Sequence, residues 1–306
     1  MVYPLSELTQ NPQRRRRGDA VLDTAVHTLI LVFCVLCLIP FIVAVSASFS
    51  SERTLLREGY SLLPVAFTTA AYDMLFSTRQ IVDSYKVSLF VTVFGTVLSM
   101  VVTAMMAYPL SVKKLRYRGA ISFFAYFTML FNGGLVPTYM LISKYLGMRD
   151  TLWCMIIPVL VNPWNLFLLR NFFSAIPGEL HESARIDGAN DVRILWQIIL
   201  PVSLPALATV SLFYAVAYWN QWFNAMLYIE DASKFPLQYL IMKMLRNIEL
   251  LKQMSSQAGF AVDMSALPTT TTKMATAMVT IGPIIIAYPF AQKYFTSGLI
   301  VGSVKG

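Results

Sequence analysis

The sequence predicts an all-α integral membrane bundle of six transmembrane helices. Hydrophobic residues make up 57% of the 306 residues and charged residues only 13%, and the mean hydropathy is +0.60. Soluble domains carry about 25% charged residues, so this chain lacks the polar side chains that a water-facing surface needs. The polar and charged residues also gather between long apolar stretches. The composition therefore argues against a soluble enzyme and against a disordered protein.

Six stretches are long enough to cross about 30 Å of hydrocarbon, which takes roughly 20 helical residues. No Lys, Arg, Asp or Glu lies well inside any of them, although Asp23 and His27 stand at the entry of the first. The irregular sequence falls between the stretches, because lipid-exposed loops could not satisfy their backbone polar groups. The predicted spans are Ala20–Phe49, Val87–Ser111, Gly119–Ile142, Thr151–Leu169, Val202–Ile229 and Met274–Gln292.

Basic residues predict the orientation, since cytoplasmic loops carry an excess of Lys and Arg. This places both termini and the even-numbered loops in the cytoplasm, and it accounts for the net charge of +8 without a nucleic-acid partner. We expect a basic segment at 1–19, a membrane domain at 20–293 and a cytoplasmic tail at 294–306. The clusters are Arg14 to Arg17 before the first span, Lys113, Lys114, Arg116 and Arg118 after the second, and Arg170, Arg185 and Arg193 around the loop after the fourth.

The first span has a second interpretation, as a cleaved signal peptide. Its apolar run from Thr28 to Val45 is longer than the usual signal core of about 7–15 residues. We therefore interpret it as a retained membrane helix.

Two outer segments, 50–83 and 230–273, are long enough to hold structure of their own. In the second, apolar residues recur every three or four positions from Leu237 to Met254, which predicts an amphipathic helix. This helix could lie in the membrane interface, or it could present a docking face to an external partner.

The six spans contain no buried acid, base or histidine relay of the kind that ion-coupled transporters place near the midplane. The dipeptide Gly-Lys, which a phosphate-binding loop requires, does not occur. Two histidines and three cysteines are too few and too scattered for a metal site or a disulfide framework. The sequence predicts no catalytic residue, no metal ligand and no cofactor on this chain. It is then a passive pore, or the membrane half of a pump whose motor is another polypeptide.

The cytoplasmic loop at 174–200 favours the second alternative. Pro177 suits the start of a short helix that runs to about Ile186, and Gly188 can take the left-handed conformation that ends it. Asn190 or Asp191 can cap a second helix, which leads through Pro201 into the fifth span. This predicts a rigid helix-turn-helix that could transmit a partner's movement to the membrane helices.

The motif in this loop resembles the EAA loop of ABC importer permeases. Glu182-Ser-Ala-x-x-x-Gly188 is followed after nine residues by Ile198-x-Leu200-Pro201, and Ser183 stands where the family often has Ala. By resemblance, the loop sits in a cleft of an ATPase, with Glu182 facing its basic residues and Gly188 allowing the bend. The residues that the resemblance assigns to ATPase coupling are Glu182, Ser183, Ala184, Asp187, Gly188, Ile198, Leu200 and Pro201.

Further segments resemble carbohydrate-uptake permeases of the maltose-permease-like, type I importer family, closest to the branch for oligosaccharides and aldouronate-type fragments. They include the segments 131–139, 169–173, 186–190 and 288–290 and the chain's ending. The resemblance implies the type I ABC importer permease fold and several partners. These are a second homologous permease, two cytoplasmic ATPase subunits that carry ATP and Mg, and an extracellular or periplasmic solute-binding protein, with a carbohydrate as cargo and membrane lipid around the bundle.

A sugar path needs hydrogen-bonding groups and aromatic faces, which the stretch Trp219–Asn224 supplies. Asn220 and Asn224 would fall on one face of a continuous helix, with Gln221 beside them. The same amides could instead join helices, and the tryptophans could be interface anchors. Glycines and prolines in the third, fourth and sixth spans predict kinks, which are either hinges or packing distortions. The path candidates are Trp219, Asn220, Gln221, Trp222, Asn224, Asn132 and Asn162.

Two other function classes were weighed against the importer permease. A membrane-embedded enzyme would need a catalytic constellation, and none is visible in the sequence. An ion-coupled or passive transporter of small polar solutes would leave the motif at Glu182–Pro201 unexplained.

Overall fold

The computed structural model describes residues 17–77, 79–258, 270–283, Ile285 and Pro289, and helices dominate these ranges. A short 3₁₀ turn at Ala232–Lys234 and one isolated β-bridge complete the regular structure of the described residues. The helices are α1 Arg17–Ser48, α2 Glu52–Glu58, α3 Ala70–Phe76, α4 Arg79–Ser111, α5 Arg118–Leu130, α6 Leu135–Tyr145, α7 Trp153–Val159, α8 Pro163–Ser174, α9 Gly178–Ile186, α10 Asp191–Val202, α11 Leu204–Trp219, α12 Phe223–Tyr228, α13 Leu237–Ala258 and α14 at 270–283.

The described residues 17–71 and 270–275 form one compact unit, which contains the apolar helix α1. After α1 the chain folds back, so that Ser50 and Phe67 pair as a β-bridge. The first turn of α14 begins beside Glu52, whose buried carboxylate accepts hydrogen bonds from the backbone N–H groups of Thr270 and Thr271, both at 2.8 Å. Burial raises the pKa of Glu52, but these hydrogen bonds outweigh it, so the net pKa is lowered. Glu52 therefore acts as a charged cap for α14.

The described residues from 72 to 258 and from 276 onward form the second unit, in which α4 packs against α8 and α11. With 33 residues, α4 is about 50 Å long, more than the hydrocarbon thickness of a bilayer. One face of α4 carries small buried residues at steps of three and four. Small residues let helices approach closely in a membrane, where lipid is as apolar as the side chains. The residues on this face are Ser84, Ser88, Val91, Gly95, Ser99 and Thr103.

The structure does not confirm the predicted number of six spans. Among the described residues, only Leu22–Ser48 and α4 are single helices long and apolar enough to cross a membrane. Three helix pairs also qualify if each counts as one bent span: α5 with α6 (112°), α7 with α8 (52°), and α10 with α11 (87°). This gives up to five spans. The sixth predicted span, 274–292, coincides with α14 up to residue 283, and most of its remainder lies outside the described residues, as do 1–16 and the tail at 294–306.

The breaks fall where the sequence offers Gly, Pro or Asn. The third predicted span breaks at 131–134, where Gly134 has a φ of 88°. The fourth breaks at 160–162, because Asn162 caps the new helix α8 and Pro163 begins it. The fifth is interrupted at 220–222, between α11 and α12. The predicted kinks in the third and fourth spans are thus confirmed. At each of them one helix ends and another begins, with bends of 112° and 52°.

The amphipathic helix predicted in the second outer segment is confirmed as α13. Its first turns are covered, since Leu237 and Ile241 are buried. Farther along, Leu250 is 50% exposed and Met254 is 65% exposed. Whether this exposed part meets a membrane surface or a partner stays a prediction, and residues 259–269 of the segment lie outside the described residues.

Candidate functional site

The helices α9 and α10 form a helical hairpin, and the turn between them follows the predicted local rules. α9 ends at Ile186 and Gly188 takes a left-handed φ of 77°. The side chain of Asn190 then accepts a hydrogen bond from the Arg193 N–H at 2.8 Å, so Asn190, rather than Asp191, caps α10. A Cβ at Gly188 would meet no atom within 4 Å, so this glycine is required by its backbone angle and not by lack of space.

The helical hairpin has a buried face and an exposed face. Glu182 is exposed, and the apolar side chain of Ile186 is 86% exposed beside it. The Arg185 guanidinium joins the Asp191 carboxylate at 2.9 Å and so connects the two helices, and this hydrogen bond raises the pKa of Arg185. Glu182 has no ion pair among the described residues, so the hairpin presents an exposed carboxylate and an apolar side chain outward while its buried face packs against the unit. That buried face consists of Ala184, Ile194, Leu195 and Ile199.

Two contacts attach the helical hairpin to the long helices. The ring of His181 stacks on Tyr108 of α4, with ring centroids 5.8 Å apart. Burial, with a smaller effect from Arg185, lowers the pKa of His181, which favours a neutral imidazole at pH 7. α10 runs into α11 through an 87° bend at Ser203, with Ile198 and Leu200 half-buried and Pro201 exposed. The remaining predicted coupling residues, Ser183 and Asp187, are exposed on the hairpin.

The structure corrects the predicted arrangement of Trp219–Asn224. Asn220 and Asn224 do not share one continuous helical face, because α11 ends at Trp219 and α12 begins at Phe223. Trp219 is 6% exposed and its indole N–H donates to the carbonyl oxygen of Thr280 at 3.3 Å. Asn220 and Asn224 therefore do not form the single polar face that the sequence predicted.

The amides at this break mostly bond within the protein. Gln221 is 8% exposed and donates to the carbonyl oxygen of Met155 at 3.2 Å. Asn220 is exposed, donates to its own helix at Val216 and accepts from Gln238 at 3.1 Å. For Gln221 the geometry favours the alternative of interhelical hydrogen bonding. Trp222 is exposed and Asn224 is half-buried.

A cleft of about 500 Å³ opens between the α7–α8 break and α11. Asn162 is exposed in it, and its side-chain oxygen also caps α8 by accepting from the Trp164 N–H at 2.9 Å. The indole of Trp164 is 63% exposed and Phe213 is 43% exposed. The lining carries aromatic faces and amides without a charged side chain, which suits the apolar and hydroxyl faces of a sugar ring. Asn132 is not part of this lining and accepts from the Gly134 N–H at the α5–α6 break.

Beneath this cleft, hydroxyl groups of α4 bond to hydroxyl groups of α11 in a buried row of side chains (the seam), which the sequence did not predict. Ser99 bonds the hydroxyl of Tyr218 at 2.8 Å, and Thr103 bonds that of Tyr214 at 2.7 Å. The Tyr214 hydroxyl also accepts from the backbone N–H of Asn162 at 3.0 Å. Both pairs repeat at a spacing of four residues, and this matching period in the second and fifth spans was the available signal. The seam fixes the floor of the cleft.

No three His, Cys, Asp or Glu side chains gather closely enough to hold a metal ion within the described ranges. The described residues instead offer an exposed face on the hairpin and a cleft with a polar, aromatic wall.

Comparison with known proteins identifies the family. Residues 84–301 match the family described as binding-protein-dependent transport system inner membrane component. The chain is 43% identical to the polygalacturonan/rhamnogalacturonan transport system permease protein YtcP of Bacillus subtilis (strain 168), over 94% of this chain and 99% of that protein. It is 40% identical to Protein LplC of the same organism, over 88% and 90%.

A solved structure agrees with these relatives. It is the crystal structure of a bacterial ABC transporter involved in the import of the acidic polysaccharide alginate. One chain of that structure superposes on this chain with a TM-score of 0.78 at 33% sequence identity, and the match covers 92% of this chain and 98% of the other. These matches confirm the resemblance drawn from the motif at Glu182–Pro201. The chain therefore belongs to the family of inner membrane components of binding-protein-dependent transport systems.

Proposed function

We propose that this chain is a transmembrane permease subunit of an ATP-binding-cassette importer and forms half of the translocation path for an oligosaccharide. A second homologous permease completes the path, two cytoplasmic ATPase subunits hydrolyse ATP with Mg, and an external solute-binding protein delivers the cargo. The family supports this assembly in general. The relatives named for polygalacturonan and alginate support fragments of acidic polysaccharides as the first cargoes to test.

The observation that carries the proposal is the exposed face of the helical hairpin. Glu182 and Ile186 project from a hairpin whose opposite face is buried against the unit. A side-chain ion pair and a capped turn connect the two helices. A hairpin built this way transmits displacement as a rigid body. In the proposal, Glu182 meets basic residues of the ATPase, and Gly188 holds the bend that positions it.

The cleft beside α11 is the proposed contribution of this chain to the sugar path. Trp164 and Phe213 offer exposed aromatic faces, and Asn162 offers an amide. Its lining residues carry no cation, so recognition of an acidic sugar's carboxylate falls to the second permease in this proposal. Asn132, Asn220, Trp222 and Asn224 remain path candidates, whereas Trp219 and Gln221 serve helix contacts.

The proposed topology places the hairpin at 174–200, the basic segment 1–19 and the tail 294–306 in the cytoplasm of a bacterial cell. Segments 50–83 and 230–273 face outward, and 20–293 is the permease domain. The basic residues around the even-numbered loops support this orientation.

The test replaces Gly188 with Val in the complete transporter. Because φ is 77° and the space around Gly188 is open, Val strains the turn without clashing, and we expect ATPase co-purification and uptake of labelled oligogalacturonides both to fall at least tenfold. Gly147→Val is the matched control, since Gly147 also has a positive φ (61°) and open surroundings but lies outside the hairpin. Normal ATPase binding and normal uptake in Gly188→Val would contradict the proposal.

A further inference from the structure

We infer that this chain carries a binding site for an anionic phospholipid in a groove between the end of α4 and α10. The groove has a volume of about 420 Å³. Its lining combines the apolar side chains of Met105, Leu195 and Trp196 with the charged side chains of Lys114, Arg185 and Asp191. A lining of apolar and cationic side chains matches a molecule with an acyl chain and a negatively charged headgroup.

The position of the groove relative to the membrane supports a lipid occupant. α4 is one of the two described helices that qualify as single membrane spans, and it ends at Ser111, just before Lys114. Met105 lies on the last turns of that span and is 57% exposed, and Trp196 is 48% exposed. Tryptophan is enriched where hydrocarbon meets headgroups, and lysine near a helix end reaches toward the interface. The groove therefore lies at the end of the α4 span, with Met105 on the span and Lys114 just beyond it.

The charges in and around the groove leave a net positive site. The one acid of the lining, Asp191, is held by Arg185 at 2.9 Å. Lys113 and Lys114 are exposed, and the described part of the chain shows no ion pair for either. Glu182 lies in an adjoining cavity that Lys114 also lines, without an ion pair among the described residues. A phosphate can therefore be bound without displacing an existing salt bridge.

The Tyr108 hydroxyl adds a polar group to the groove. Tyr108 lines the groove and is only 5% exposed. Its hydroxyl lies close enough to the Asp191 carboxylate for the two to interact, but it makes no hydrogen bond of full geometry among the described residues. A headgroup oxygen in the groove would give this hydroxyl a second partner.

The test measures lipid selectivity of the full chain in nanodiscs, using spin-labelled phosphatidylglycerol and phosphatidylcholine as probes. The wild-type protein should retain phosphatidylglycerol preferentially. Removing one cation at a membrane surface lowers binding of an anionic lipid roughly fivefold, and we expect this loss for Lys114→Gln. Lys114→Arg keeps the charge and should keep the selectivity.

Lys144→Gln is the matched control, because Lys144 is an exposed lysine outside the groove. Equal selectivity in Lys114→Gln and Lys144→Gln, or no preference in the wild-type protein, would overturn the assignment. Displacement of the labelled lipid by inorganic phosphate alone would show a free-anion site and would also overturn it. The measurement needs no transport, so its outcome is independent of the proposed function.

Discussion

Gly95 of α4 lies against the ring of Tyr218 on α11, and replacing this glycine tests the packing of the seam. A Cβ at this position would lie 2.8 Å from Cζ of Tyr218, whereas ordinary contact begins at 3.4 Å. The ring would have to move by about 0.6 Å (3.4 minus 2.8). That movement strains the hydrogen bonds of the Tyr218 hydroxyl to Ser99 at 2.8 Å and to the carbonyl oxygen of Ile156 at 3.2 Å.

The expected cost of Gly95→Ala follows from two opposing effects. Overpacking costs roughly 1–3 kcal/mol, and each weakened hydrogen bond adds up to about 1 kcal/mol. Replacing Gly by Ala in a helix by itself raises the free energy of unfolding by about 0.5–1 kcal/mol. We therefore expect Gly95→Ala to lower the free energy of unfolding by roughly 1–3 kcal/mol. Gly119→Ala is the control, because Gly119 is also helical but a Cβ there meets nothing within 4 Å, so its stability should hold or rise.

The assay is thermal unfolding in detergent, read by the labelling of Cys154, which is fully buried. Cys34 and Cys37 are exposed and are replaced by Ser in the background used for all variants. Shrinking Tyr218 to Leu in the Gly95→Ala protein should recover part of the loss, because the clash is with the ring. Equal unfolding temperatures for Gly95→Ala and Gly119→Ala would refute the close approach.

Three further predictions concern single side chains. Glu52→Gln should lower stability by roughly 2–3 kcal/mol, because the amide replaces a carboxylate that accepts from Thr270 and Thr271. The pKa of Glu52 is lowered on folding, so this stabilisation is present above the unfolded pKa of about 4.3 and is lost as the pH falls below that value. If Glu52→Gln lost stability in acid as the wild-type protein does, the capping role of Glu52 would be contradicted. Asp150→Ala should speed amide hydrogen exchange at Asp231, whose N–H donates to Asp150 at 3.0 Å, and unchanged exchange would argue against that bond. Tyr214→Phe should cost roughly 1–3 kcal/mol in the Cys154 assay by orphaning the Thr103 hydroxyl, and an unchanged midpoint would exclude the seam as described.

The local rules of the sequence predicted the helical hairpin almost residue by residue. The end of α9 near Ile186 and the left-handed Gly188 depend on neighbours within four positions, so the sequence predicted them. The same is true of α13, whose periodicity is a property of one helix. The sequence left the cap of α10 open between Asn190 and Asp191, and the structure assigns it to Asn190. The family followed from the same segment, because its motif has several fixed positions.

The break in the fifth predicted span after Trp219 could be located only in the tertiary structure. A run of apolar residues shows where a span can lie but not where it bends, because membrane helices tolerate a break wherever neighbours satisfy the freed backbone groups. The chain interrupts the fifth predicted span at 220–222, and Gln221 there is bonded to Met155, which lies 66 residues away in sequence. Such a partner cannot be read from helical spacing.

Hydrophobicity, the spacing of basic residues and one loop motif thus determined from the sequence that the chain is a helical membrane protein of a transport family. The tertiary structure alone decided which hydroxyls of α4 meet the tyrosines of α11, where the spans bend, and which amides are committed to the protein. The physical reason is the separation along the chain over which each interaction acts. Capping and periodicity involve residues a few positions apart, whereas the pairing of side chains such as Ser99 and Tyr218 depends on how helices far apart in sequence pack together.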